Sequence, residues 1–147
     1  MIWLELFNFI HFVGLAFGLG GATIAAIVSN KAEKDRDVAI ASMKLMPSIS
    51  KLIVLGLIFL IISGIAIPFF MTWPLNRGML IIKHILVIFI VIFGMFLGNS
   101  SKKINHFVPR HNEKPSQEFL KIKRRIKIFS TINLILWYLT TILSEFI

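Results

Sequence analysis

Four long apolar runs separated by short polar ones dominate this chain. From residue 2 to 28 the only charge is Glu5, and the next is Lys31. Residues 52–71 carry no charge, and residues 79–97 hold only Lys83 and His84 as ionisable groups. No charge falls between Lys127 and Glu145. A helix that crosses lipid needs about 20 mainly apolar residues, and none of these runs alternates with the two-residue period of a barrel strand. Helix also satisfies every backbone donor and acceptor inside lipid. The pattern predicts an all-α integral membrane four-helix bundle, one domain over 1–147. Its helices are expected at approximately 2–29, 52–71, 79–99 and 126–146, with polar loops at 30–51 and 100–125. The first run lacks a basic n-region and an A-x-A cleavage site, so it is expected to persist as a helix and not as a signal peptide.

Composition sharpens this picture. Hydrophobic residues make up 56% of the 147 positions and charged ones 16%, against about a quarter charged in an average soluble domain. With no cysteine, disulfides, CxxC redox chemistry and thiolate metal sites are excluded. The net charge of +9 is unevenly spread: fourteen of the sixteen Lys and Arg residues fall in or beside the first and third loops. The positive-inside rule makes those loops cytoplasmic. Both termini and the second loop, about 72–78, then face outward, with Trp3 and Trp73 at the outer interface. The basic excess is thus read as topology and not as nucleic-acid binding. The expected partner is a bilayer with anionic headgroups, and the expected setting is a prokaryotic plasma membrane. Within the loops, 30–51 reads as partly helical extensions of its neighbours with a break at Pro47. The 100–125 segment, with Pro109, Pro115, His106 and His111, turns helical near Ser116, Gln117 and Glu118.

An ionisable residue inside a membrane helix normally faces the bundle interior or a cavity. The candidates are His11 on the first helix and Lys83 with His84 on the third. Each histidine lies about five residues into its span, roughly 8 Å deep, and both helices enter from the outside. Gly14, Gly18, Gly21, Ala22 and Ala25 follow His11 along one stripe, with Asn8 continuing it, and Gly14-x-x-x-Gly18 is a close-packing pattern. Gly94-x-x-x-Gly98 makes a similar small face on the third helix, flanked by the directions of Lys83 and His84. On the fourth helix Ser130, Asn133, Trp137, Thr140, Thr141 and Ser144 form a polar stripe expected to point inward. On the second helix, Ser63-Gly64 followed by Pro68 predicts a kink, because Pro68 cannot donate to the Gly64 carbonyl.

Two imidazoles at matched depth on two helices are suited to ligating a b-type haem. Arg77 and Lys83, the two basic residues outside the cytoplasmic set, would hold its anionic propionates. Lys83 would reach the interface by snorkelling. If Lys83 points inward in place of His84, His11 becomes the sole ligand, with the sixth position open. The plainer alternative is that both histidines hydrogen-bond across helices and only hold the bundle together. A copper site, with His11 and His84 joined by Met71 or Met79, suits the thioether and imidazole preference of Cu(I). The six methionines are scattered, however, as gap-filling methionines would be. A proton relay through Lys83 and His84 lacks a deep carboxylate partner, since Glu5 and Glu145 lie near the outer surface.

The segment from His11 through Phe12-Val13-Gly14-Leu15-Ala16-Phe17-Gly18 to Gly20-Gly21 resembles the first helix of small four-helix membrane proteins of the CopD-like and HemJ-like group. The stretch from Arg77-Gly78-Met79 to Lys83-His84 is similar to their third-helix start, where a lysine recurs just inside the membrane. The resemblance implies haem-dependent protoporphyrinogen oxidation for HemJ-type members and copper handling for CopD-type members. A HemJ pattern continues on the first helix with a tryptophan and an arginine. Here Phe17 and glycines stand in that region and no arginine comes before Arg36, so only His11 and Lys83 carry over as site residues. The sequence therefore points to a haem b membrane protein that transfers electrons or oxidises a porphyrin- or quinone-type substrate. The alternatives are a copper-handling protein and a non-enzymatic membrane subunit, and a redox partner or a second copy is the further partner these readings allow.

Overall fold

The computed structural model describes residues 2–71, 76–104 and 116–144. Trp73, His106, Pro109, His111, Pro115 and Glu145 lie outside the described residues. The described chain is all-α: α1 (Ile2–Ala32), α2 (Arg36–Phe70), α3 (Arg77–Ile104) and α4 (Gln117–Ser144). All four helices are long and apolar enough to cross a membrane. The shortest, with 28 residues, reaches about 42 Å, beyond the ~30 Å thickness of a hydrocarbon core.

The extra length lies where the charges are. Instead of a loop over 30–51, the chain turns in three residues, 33–35. The backbone N–H groups of Lys34 and Asp35 both donate to the Lys31 carbonyl, at 3.0 and 3.1 Å. Asp35 then caps α2, its carboxylate accepting from the amides of Asp37 at 2.9 Å and Val38 at 3.3 Å. Such a cap contributes about 1 kcal/mol. Pro47, expected to break this segment, sits inside α2. It removes only the donor that would reach the Met43 carbonyl, and both residues are exposed, so outside polar groups can replace that bond. Pro68 is also accommodated within α2, one turn before the helix ends at Met71. Ser116 caps α4 as its sequence indicated: its hydroxyl oxygen accepts from the Phe119 amide at 3.1 Å.

The chain divides into two compact helical hairpins, residues 1–76 and 77–147. In the first, buried and half-buried positions of α1 recur at alternating steps of four and three: Phe7, His11, Gly14, Gly18, Gly21 and Ala25. Those of α2 follow the same rule through Ser42, Ile49, Ile53, Gly56, Leu60 and Ser63. A 3.5-residue repeat keeps one seam of each helix facing its partner, as in a coiled coil. At the centre a Cβ on Gly56 would meet the Gly18 backbone nitrogen and come within 2.7 Å of the Gly14 carbonyl oxygen. The two backbones touch there because no side chain intervenes. Toward the far end of this hairpin, Phe7 stacks on Phe70 with ring centroids 5.6 Å apart. Asn8 is exposed, off the seam where the stripe had placed it.

The second hairpin is held by bulk. Phe93 and Phe96 of α3 pack on Phe129 of α4, at centroid distances of 5.6 and 6.1 Å. On α4 the buried residues are Asn133, Trp137 and Thr140, the middle of the polar stripe, with Ser130, Thr141 and Ser144 half-buried beside them. Gly94 and Gly98 do not form a packed face. Both are exposed, and a Cβ on either would meet nothing within 4 Å. Aromatic knobs make the α3–α4 contact, so the glycine row of α3 is left aside.

Candidate functional site

His11 sits on the inner seam of α1, half-buried against α2. Its Nδ1 lies 2.8 Å from the hydroxyl oxygen of Ser63, which is fully buried. That hydroxyl also lies 2.6 Å from the Phe59 carbonyl oxygen, one turn back on α2. A carbonyl only accepts, so the single hydroxyl hydrogen is donated to Phe59 and Ser63 Oγ accepts from the imidazole. His11 Nδ1 therefore carries a hydrogen, so in the neutral ring Nε2 is the nitrogen with the lone pair. The neighbour Gly64 gives the ring room, its missing Cβ falling 3.9 Å from His11 Cε1. A larger residue at 64 would press on the imidazole.

The two α3 candidates separate. Lys83 is half-buried, one heptad before Ile90, which is only 2% exposed. His84, about 100° further round the helix, is exposed, and its Nδ1 donates to its own Leu80 carbonyl at 2.7 Å. Of this pair, Lys83 shares the buried row and His84 does not. Arg77 is exposed at the first position of α3. His11 belongs to the first hairpin and Lys83, His84 and Arg77 to the second.

On α4 the hydroxyls look after themselves. Ser130, Thr140, Thr141 and Ser144 each donate to a carbonyl three or four residues back, at 2.7 to 2.9 Å. Such back-bonding lets a polar stripe sit in an apolar setting without partners from another helix. Asn133 and Trp137 differ. Both are buried, and among the described residues Asn133 Oδ1 and Trp137 Nε1 have no hydrogen-bond partner. An acceptor and a donor thus stand one turn apart on the same face.

Ser63 is the functional candidate that the residue-by-residue reading passes over as part of a proline kink. Its signal is the antiparallel register: once Gly18 meets Gly56, residue numbers across the seam sum to about 74, and His11 falls opposite Ser63. No three His, Asp or Glu side chains converge as a metal cage among the described residues. An imidazole fixed in one tautomer can still serve a group that asks for one or two protein ligands. The chain matches no family model, no curated protein and no solved structure.

Proposed function

We propose that this is a multi-pass integral membrane protein that binds haem b through His11. The membrane half of the reading rests on four helices of spanning length that expose large apolar side chains, among them Phe9, Phe12, Phe69 and Met95. A water-soluble monomer rarely shows so much apolar surface. Lys31, Lys34 and Arg36 flank the turn between α1 and α2, Lys44 and Lys51 follow along the first half of α2, and a second basic set lies at the C-terminal end of α3 and the N-terminal part of α4. By the positive-inside rule this charge distribution supports cytoplasmic basic segments and outward termini, in what we read as a prokaryotic plasma membrane.

The haem half rests on one observation, the hydrogen bond from His11 Nδ1 to Ser63. Metal-ligating histidines almost always donate their second ring N–H to an oxygen, which fixes the tautomer and raises the basicity of the ligating nitrogen. Ser63 is itself held by the Phe59 carbonyl, so the imidazole is oriented by a two-bond relay anchored in the α2 backbone. When bound, haem would supply one-electron chemistry, and the chain would supply the ligand, the orientation and a dry surround. The activity would be electron transfer or oxidation of a porphyrin- or quinone-type substrate, with His11 as the residue that would hold the group.

The test is the absorption spectrum and haem content of protein purified from cells supplied with a haem precursor. One haem b per chain with a Soret band, lost in His11→Ala, is expected. A colourless protein with stoichiometric copper would replace this reading with copper handling. A colourless, metal-free protein would leave His11–Ser63 as a clamp in a non-enzymatic membrane subunit.

A further inference from the structure

Between the C-terminal part of α3 and the N-terminal part of α4 lies a cavity of about 560 Å³. Its apolar lining is Phe96, Phe129 and Ile128, and its polar lining is Lys103, Arg125, Asn99 and Ser100. Phe96 and Lys103 are two helical turns apart, about 10 Å along one face of α3. The lining therefore passes from hydrocarbon-like to cationic along one helix face, in the same order as the acyl chains and phosphate of a phospholipid.

Its position along the helices agrees. On α4 the basic run of Lys121, Lys123, Arg124, Arg125 and Lys127 stops abruptly, and from Ile128 the helix is uncharged as far as Ser144. On α3 the apolar run gives way at Asn99 to Ser100, Ser101, Lys102 and Lys103. Both changes fall at the cavity, which thus straddles the inner boundary between acyl chains and headgroups. Among the described residues, no carboxylate lines it. Two cations beside an apolar lining, with a hydroxyl and an amide between them, complement a phosphodiester that carries its own chains.

We propose that this cavity is a binding site for one anionic phospholipid of the cytoplasmic leaflet, its phosphate between Lys103 and Arg125 and an acyl chain over Phe96 and Ile128. The site goes beyond a general attraction of basic loops to the membrane, because it assigns a stoichiometry and two particular cations. It is independent of haem and rests only on the membrane orientation proposed above.

The test is native mass spectrometry of the full-length protein in detergent with equal amounts of phosphatidylglycerol and phosphatidylcholine. One retained phosphatidylglycerol per chain is expected, in preference to phosphatidylcholine. Each basic residue near an anionic surface contributes a factor of about five, so Lys103→Gln with Arg125→Gln should lower the preference by about thirtyfold. Lys31→Gln with Lys34→Gln removes the same charge from the other hairpin and should leave it unchanged. Circular dichroism checks that all variants remain helical. Equal losses in the two double variants would mean a diffuse field and would overturn the site, as would retention of no lipid. Full displacement by excess inorganic phosphate would overturn it too, since a simple anion site does not need the apolar lining.

Discussion

His11 and Ser63, fifty-two positions apart in sequence, are joined by a 2.8 Å hydrogen bond in which the imidazole donates and the hydroxyl accepts. The direction of the bond follows from the neighbouring 2.6 Å contact of the same hydroxyl with the Phe59 carbonyl. Interhelical hydrogen bonds in membranes contribute only about 0.6 kcal/mol on average and up to about 1.7 kcal/mol. The bond is therefore a modest contributor to stability and a strong determinant of ring orientation. Ser63→Ala should lower the unfolding free energy by about 1 kcal/mol, measured by denaturant titration in mixed micelles. Haem should be retained at normal stoichiometry, with its reduction potential shifted because the ligand loses its hydrogen-bond acceptor. An unchanged potential would show that Ser63 does not act through the ligand.

The glycines of the two hairpins should respond in opposite ways. In Gly56→Ala the new methyl meets backbone atoms of Gly14 and Gly18, which cannot rotate away, so α1 and α2 must separate. Overpacking of this kind typically costs about 1–3 kcal/mol. The seam also carries His11, so loss of haem should accompany the loss of stability. Gly98→Ala meets open space and replaces a poor helix former by the best one, a change worth up to about 1 kcal/mol in favour of the helix. Thermal unfolding of the two variants side by side checks the contrast.

The helices are legible in the sequence because each has a long apolar run nearly free of charge, and the gaps between charges mark those runs. Their true ends are not. Segment 36–51 mixes apolar with charged residues and 117–125 is rich in charge, and both run on as helix into an apolar neighbour from starts capped by Asp35 and Ser116. The Gly14, Gly18 and Gly21 stripe does form a packed seam, because small residues at that spacing let two backbones approach along one line. The same logic fails for Gly94 and Gly98, because nothing local reveals that Phe93 and Phe96 make the contact on α3. His11 is legible as an inward residue, while its partner requires the register of α1 against α2. Lys83 and His84 stay undecided by angle alone, and the separation comes from His84 bonding its own Leu80 carbonyl. The cavity at Lys103 and Arg125 is hidden in a basic cluster whose members look equivalent in sequence.

Orientation can be tested cleanly because the chain has no cysteine of its own. Gln117 is exposed at the start of α4, and Asn76 is exposed immediately before α3. Gln117→Cys should be protected from an impermeant maleimide in intact cells and should label after permeabilisation. Asn76→Cys should label in both. The reverse pattern would place the basic turns outside and refute the assignment by positive charge.

Asn133 presents a different question, since its buried Oδ1 has no partner among the described residues. Leaving a buried acceptor unsatisfied costs about 1–3 kcal/mol, whereas an apolar residue of similar shape carries no such penalty. Asn133→Leu should therefore raise stability, seen as a higher unfolding midpoint in detergent. If it raises stability and also slows turnover or electron transfer with haem still bound, the unsatisfied group is held in reserve for a substrate. If activity is unaffected, the asparagine is only a tolerated polar residue.

The last prediction separates the two ways in which the histidines can serve a haem. His11 is oriented by another helix, while His84 is exposed and bound to its own turn. With His11 as the sole protein ligand, the ferric protein should be predominantly high-spin and should bind added cyanide at the open position. His84→Ala should leave that spectrum unchanged, and His11→Ala should abolish haem binding. A bis-histidine site predicts the opposite for the first two observations: a low-spin wild type, indifferent to cyanide, that turns high-spin in His84→Ala. For that outcome His84 would have to give up the Leu80 carbonyl. A single pair of ferric spectra, wild type and His84→Ala, is enough to decide between the two arrangements.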